Sequence, residues 1–175
     1  GDRHSFNYGY SYSDAKGNNN TSDTTADATN AIGHGVSVGH DFMFNEIIST
    51  STGLGYSISE AKDGTNDFHT YDLSLRLNLA YPWVYLSIGD SVSFNDYIHR
   101  DTSTNSNRIR SDVTNTVDIM ATKSLGDFFP KLDPNKNFFI NLSYEKVFSE
   151  ANISNYDYIA DSVSISFSKA VSMLK

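Results

Sequence analysis

The 175-residue chain has no cysteine, one tryptophan, three prolines and no long apolar segment. The absence of cysteine excludes disulfides and thiolate chemistry. No apolar run approaches the roughly 18 residues of a membrane-spanning helix, which excludes a helical membrane protein. Charged residues make up only 19% of the chain, below the soluble average of about 25%. The net charge of -8 argues against nucleic acid or an anionic surface as a partner.

What the chain has instead is an alternation of apolar residues with serine, glycine, threonine and asparagine. A period of two predicts β-strands. The small uncharged partners favour a strand from an outer-membrane barrel, with its apolar side toward lipid, because a water-exposed sheet face usually carries lysine and glutamate. The clearest example is the C-terminal stretch, where one face carries Val163, Ile165, Phe167, Val171 and Met173 and the other Ser162, Ser164, Ser166, Ser168 and Ser172.

About eight such stretches follow one another along the chain. Each is about ten residues or slightly longer, the length that a tilted strand needs to cross the hydrocarbon layer. We therefore predict an all-β, antiparallel transmembrane β-barrel that occupies residues 1–175 as a single domain. The apolar sides begin at Phe6, Ile32, Ile48, Tyr71, Val84, Val113, Ile140 and Val163.

The connections alternate between long and short. Residues 14–30, 60–68, 96–112 and 149–160 are polar loops, whereas 41–46 and 80–83 are tight and 126–136 is intermediate. All three prolines fall in the second set, where a turn uses their fixed φ. In an outer-membrane barrel this arrangement predicts extracellular long loops, with both termini in the periplasm.

Aromatic residues give a further indication of membrane depth. Tyr71 and Tyr81 bracket a stripe of leucines, as expected of two aromatic girdles at the headgroups, and Tyr144 and Phe148 are assigned to the same girdles. The alternative is a soluble antiparallel barrel or sandwich with the same alternation turned inside out. Strands this long are unusual in sandwiches.

With these features the chain resembles bacterial outer-membrane β-barrel proteins. The segment 154–167 is similar to the last hairpin of porin-like proteins and of barrels that follow tetratricopeptide-repeat export modules. The resemblance implies that the protein lies in a Gram-negative outer membrane and has the lipid bilayer as its partner. Further barrel strands, other subunits or a periplasmic module are additional partners that it implies. Such barrels usually end on an aromatic residue, whereas this chain ends at Met173-Leu174-Lys175. Because the chain is already strand-like at His4, we also expect strands upstream.

The residues on the predicted inward face of the barrel give the indications of function. This face is dominated by serine and glycine, too small to fill an eight-stranded lumen. Either the barrel is wider than eight strands and has a wet lumen, this chain being its C-terminal portion or one of several chains that close it, or the barrel has eight strands and is water-filled or plugged by a loop or partner. Asp72, Arg76, Asp118 and Glu145 are the inward charges, acting as a pore constriction or as a salt bridge that braces the wall. Asp90 has lipid-side parity, and we expect a bulge at Gly89 to turn it inward.

Catalysis and cofactors find little support in the sequence. His34 and His40 have lipid-side parity, and His69 or His99 near Asp67, Asp96 or Asp101 is a weak rim pairing. Asp23 and Asp27 do not match a calcium loop. We therefore expect no enzyme, cofactor or metal, and predict a channel or export pore. The alternative is a closed barrel that anchors surface loops for adhesion or holds a partner complex.

Overall fold

A computed structural model describes residues 3–15, 31–61, 67–100, 108–133, 135 and 137–169. The alternating stretches form eight strands, and the remaining regular structure consists of two short 3-10 helices. No helix in these ranges is long and apolar enough to cross a bilayer. The strands are β1 His4–Ala15, β2 Ala31–Met43, β3 Ile48–Ala61, β4 Phe68–Tyr81, β5 Val84–Arg100, β6 Ile109–Ser124, β7 Phe138–Ala151 and β8 Tyr158–Lys169, and the helices are Leu125–Asp127 and Ser154–Tyr156.

The strands form one antiparallel sheet in which each strand pairs with its neighbours in the sequence, from β1 to β8. The predicted all-β antiparallel arrangement of about eight strands is therefore confirmed. Closure into a barrel is not: in the described residues no pairing joins β1 to β8, and these two strands are the edges of the sheet.

Burial is opposite on the two faces. The apolar face carries the valine, leucine, isoleucine and tyrosine side chains, and they are exposed: Leu75 is 54% exposed and Ile88 43%. Ser87, next to Ile88 but on the polar face, is only 1% exposed. Within the described ranges the only buried large hydrophobic side chain is Ile153. The sheet therefore shelters parts of its polar face in the inner strands, whereas β1 and β8 are exposed on both faces, and the described residues of the sheet form no apolar core.

One end of the sheet, which we call the turn rim, holds the connections β2–β3, β4–β5 and β6–β7. Strand β2 continues through Met43, so the turn predicted at 41–46 is observed at 44–47. There the side-chain oxygen of Asn45 accepts hydrogen bonds of 2.8 Å from the amides of Ile47 and Ile48, an Asx-type turn. In the β6–β7 connection, the buried carboxylate of Asp133 accepts from the amides of Asn137 and Phe138 at 2.9 and 3.0 Å. The opposite end, with the connections β1–β2, β3–β4, β5–β6 and β7–β8, is the loop rim.

The paired residues shift steadily from the turn rim toward the loop rim across the sheet. One register row begins at Phe6, two residues after the start of β1 at the turn rim. The same row ends at Asp161, eight residues before the turn-rim end of β8 at Lys169. The strands are therefore staggered: a line through the paired residues moves away from the turn rim and toward the loop rim as it crosses the sheet. In full, the row is Phe6, His40, Thr52, Leu75, Asp90, Val117, Lys146 and Asp161.

The expected bulge at Gly89 is absent. Gly89 and Asp90 are in continuous register with β4 and β6, and the one register shift of β5 lies between Asp96 and Arg100. Asp90 therefore stays on the apolar face, where it is exposed and accepts a 2.8 Å hydrogen bond from the side-chain amide of Asn115. Lys169 lies on the apolar face of β8, in regular register opposite Phe138. Val171 and Met173, predicted to continue this strand, lie outside the described residues.

Candidate functional site

A row of charged side chains crosses the polar face. Strand alternation places Arg76 of β4, Gly89 of β5, Asp118 of β6 and Glu145 of β7 side by side in one register row. Three of the four predicted inward charges thus lie in one line across the sheet. The fourth, Asp72, is on the same face of β4, four residues from Arg76 toward the loop rim.

Arg76 and Asp118 form the strongest contact of this row. The two guanidinium nitrogens Nη1 and Nη2 donate to the two carboxylate oxygens at 2.8 and 2.7 Å. This bidentate geometry is the most favourable one for an arginine–carboxylate pair. The sequence allowed two roles for these charges, a pore constriction or a salt bridge, and the contact between Arg76 and Asp118 is a salt bridge. Because the two side chains remain 40% and 26% exposed, water screens the pair and limits its contribution to stability.

Gly89 makes this contact possible, since Arg76 and Asp118 belong to strands that are not neighbours. The guanidinium group must cross β5, and it does so directly over Gly89. A Cβ atom at this position would clash with the Asp118 carboxylate and lie 2.6 Å from Arg76 Nη2. The glycine therefore leaves the space that the ion pair occupies, and it does so without a bulge.

A small hydrogen-bond network holds Arg76 in place. Its Nη1 also donates to Ser87 Oγ at 2.8 Å, and Ser87 in turn donates to Asn78 Oδ1 at 3.1 Å. The hydroxyl of Tyr85 donates to the same Asn78 oxygen at 2.8 Å. Since each of these residues lies on the polar face of β4 or β5, the guanidinium orientation is fixed by neighbouring strands and not by a loop.

Beside the ion pair is an open cavity of about 500 Å³ above β2, β3 and β4. Its charged lining on the polar face comprises Asp41, Asp72, Arg76 and Asp118. Asp72 accepts a hydrogen bond from Ser93. Glycines in β3 line the same cavity and leave it open because they have no side chain. With three carboxylates and one guanidinium, the lining is net acidic.

A second polar cluster lies at the loop rim and was missed in the sequence. The Nε atom of Arg110 donates to Asp112 at 2.8 Å, and its guanidinium carbon lies 4.7 and 3.5 Å from the ring centroids of Tyr97 and Tyr156. Sequence reasoning assigned these residues to polar loops, since their regions lack a clean alternation. The spacing of Arg110 and Asp112 by two residues was the one available signal, because it puts both on the same face of a strand.

The apolar face carries pairs of aromatic and histidine side chains. The hydroxyl of Tyr10 lies 2.8 Å from His34 Nδ1, and that of Tyr56 lies 2.6 Å from His69 Nδ1. His69 thus contacts a tyrosine, and its register partner on β5 is Asp96, one of the acidic residues considered for it, whereas Asp101 lies outside the described residues. For the other rim pairing, His99 Nε2 lies 3.5 Å from an Asp67 oxygen.

The residues assigned to the aromatic girdles share the apolar face. Tyr71 contacts Tyr56 with 5.1 Å between ring centroids, and Tyr81 stacks on Trp83 at 6.0 Å. These two tyrosines lie near opposite ends of β4. Tyr144 and Phe148 instead occupy interior positions of β7, opposite Val163 and Ile159 of β8.

We expect the coupling between Arg76 and Asp118 to depend on Gly89. A double-mutant cycle with Arg76→Ala and Asp118→Ala, measured by urea unfolding in lipid vesicles, should give a coupling of about 0.5–1 kcal/mol. In a Gly89→Val background the coupling should fall to near zero, because the new side chain occupies the path of the guanidinium. Gly53→Val is the matched control, since its Cβ would meet Ser74 Oγ at 2.6 Å and not the ion pair. Equal coupling in both backgrounds would contradict the assigned role of Gly89.

The chemistry available in the described residues is thus acid–base pairing and hydrogen bonding along a polar sheet face. No group of three or more histidine, aspartate or glutamate side chains in this part of the chain is arranged to hold a metal ion. No family model matches the chain, and no curated protein and no solved structure match it either.

Proposed function

We propose that this chain forms the wall of a membrane-spanning antiparallel β-barrel in a Gram-negative outer membrane and acts as a passive channel or export pore. Its apolar face contacts lipid, and its polar face lines a hydrated lumen. The loop rim is extracellular and the turn rim periplasmic. Arg76, Asp118, Asp72 and Glu145 set the charge of the lumen wall.

The observation that carries this proposal is the inverted burial. A water-soluble sheet buries its apolar face against a core, and this sheet exposes it from β1 to β8. Monomeric soluble proteins rarely expose an apolar patch above a few hundred Å², and here the apolar face of an entire sheet is open. Lipid is the surrounding that makes such a face favourable, because transferring it out of water stabilises the fold.

The dimensions of the apolar face agree with a bilayer. On β4 the stripe between Tyr71 and Tyr81 covers ten residue steps, or about 33 Å at ~3.3 Å per residue. With strands tilted by about 30–40°, that length projects to about 25–29 Å along the membrane normal, near the ~25 Å apolar band of outer-membrane barrels. The tyrosines at its ends would then lie at the two headgroup layers.

The stagger of the strands agrees with a barrel wall. The register row climbs by six residues over seven pairings, from Phe6 near the turn rim to Asp161 near the loop rim. With ~3.3 Å per residue and ~4.8 Å between strands, this corresponds to an inclination of roughly 30°. Barrel closure requires such a tilt, typically about 35–45°, so the stagger supports a sheet that wraps around an axis.

The polar face has the character of a wet surface rather than of a packed barrel interior. Serine and glycine leave space, and the cavity beside Arg76 has room for water and small ions. Hydroxyl groups along the wall replace part of the hydration of a passing solute, while charged rings or rows select by sign. These properties suit passive conduction.

We expect the purified protein, inserted in a planar bilayer in simple salt, to give stable single-channel steps. A hydrated lumen conducts ions, whereas a filled or plugged one does not. Insertion is checked independently by resistance to extraction with alkaline carbonate. Silence from fully inserted protein would overturn the pore and favour the anchor, for which deletion of residues 14–30 should abolish adhesion or partner binding.

A further inference from the structure

The two edges of the sheet, β1 and β8, have no partner strand in the described part of the chain. We propose that β8 of one copy pairs with β1 of a second copy, so that several copies close one barrel. This inference rests on the proposed insertion in a membrane. It takes a second copy of this chain, and not the upstream strands expected from the sequence, as the partner of the two edges.

An open edge is not tolerated in a bilayer. Each edge strand is 12 residues long, and about half of its backbone N–H and C=O groups point away from the sheet. Without water each unpaired group costs several kcal/mol, so spanning sheets are closed. Neither edge is blocked by a proline or a bulge, since β1 and β8 contain no proline and pair in regular register with β2 and β7.

The two edge strands are complementary in chain direction and in the side chains that they carry on each face. Strand β1 runs from the turn rim to the loop rim and β8 runs back, so pairing them is antiparallel, like every other pairing in the sheet. On the apolar face, Tyr8 and Tyr10 of β1 would meet Ile165 and Phe167 of β8, and aromatic and β-branched residues form favourable cross-strand pairs. On the polar face both strands present mainly serine.

Two observations favour a second copy over closure of a single copy: the exposure of both edge strands and the small side chains on the polar face. All twelve residues of β8 are exposed, including Ser162, Ser164 and Ser166 on the polar face. The described residues of β1 are likewise exposed on both faces. An eight-stranded barrel encloses its inner face and fills it with side chains, yet serine and glycine cannot do so. A head-to-tail contact between copies instead forms a wider ring when its rotation closes.

The absence of cysteine in the natural chain allows a direct test. Ser11→Cys is introduced in one preparation, and Ser162→Cys, Ser164→Cys or Ser166→Cys in a second, to cover neighbouring registers. The two preparations are mixed, inserted together in vesicles and oxidised. The positive control is Ser143→Cys with Ser164→Cys in one chain, whose hydroxyl oxygens are 2.7 Å apart across β7 and β8 and which should cross-link within the monomer.

We expect a disulfide-linked species of twice the 19.4 kDa chain mass in at least one mixture, and a several-fold weaker one in either preparation alone. Three results would overturn the inference: no linked dimer from fully inserted protein, equal dimer yields with and without mixing, or exclusively monomeric cross-links when Ser11→Cys and Ser164→Cys share one chain. Each of these leaves the membrane proposal standing. Complete extraction by alkaline carbonate would instead overturn the membrane proposal, and this inference with it.

Discussion

Leu75→Arg is expected to lower the free energy of unfolding in lipid vesicles by about 2–4 kcal/mol, the cost of an arginine at the bilayer midplane on the lipid face of a barrel. Leu75 lies near the middle of the stripe between Tyr71 and Tyr81, and its side chain is 54% exposed. In the proposed membrane orientation this exposure is to hydrocarbon, so the charge would have to reach the headgroups or draw water inward.

Ser74→Arg is the matched control. It introduces the same side chain at the adjacent residue of β4 but on the polar face, between Asp72 and Arg76. Because this face borders the lumen in the proposed barrel, we expect a change within about 0.5 kcal/mol, as for most surface substitutions. Urea unfolding in vesicles, followed by tryptophan fluorescence of Trp83, measures both variants.

The same pair of variants distinguishes the membrane barrel from a soluble sheet. In water, an arginine replacing an exposed leucine would have little effect on stability and would improve solubility. Equal and small effects of Leu75→Arg and Ser74→Arg would therefore contradict lipid contact of the apolar face. A larger loss from Ser74→Arg than from Leu75→Arg would mean that the polar face is the packed one.

The fold was predictable because a strand's side chains alternate with a strict period of two. In β4 the leucines Leu73, Leu75, Leu77 and Leu79 all have one parity, which determines both the element and its apolar face. The short connections predicted at 80–83 and 41–46 imply pairing of neighbouring strands, and the meander follows. Closure was not predictable in this way, since it depends on curvature and on partners, and alternation carries no information on either.

The site was predicted in part. Parity alone put Asp72, Arg76, Asp118 and Glu145 on one face. The pairing of Arg76 with Asp118 across β5 requires the register of three strands at once, and that is a tertiary property. The expected bulge at Gly89 was wrong for the same reason: the glycine makes room for a guanidinium from a neighbouring strand, while Asp90 is hydrogen-bonded by Asn115 on its own face.

Arg76→Ala is expected to raise the preference of the channel for cations over anions. The described charges on the cavity's polar face are Asp41, Asp72 and Asp118 against Arg76, so removing the guanidinium releases the Asp118 carboxylate toward the lumen. One unit charge acting at about 4 Å in water contributes about 1 kcal/mol, which corresponds to about a fivefold change in the permeability ratio. Reversal potentials across a salt gradient measure this ratio directly, and Asp72→Asn should shift it in the opposite direction.

Lys146→Ala provides the control of equal charge change. Lys146 also carries one positive charge, but it lies on the apolar face, 3.7 Å from Asp161 of the neighbouring strand. If selectivity is set by the lumen wall, its removal leaves the reversal potential unchanged, because the charge faces away from the conducting path. Equal shifts from Arg76→Ala and Lys146→Ala would mean that the overall charge of the protein acts at long range. High salt separates the two explanations further. At 1 M the Debye length is about 3 Å, so long-range effects are screened, whereas a charge in contact with the permeating ion still acts on it.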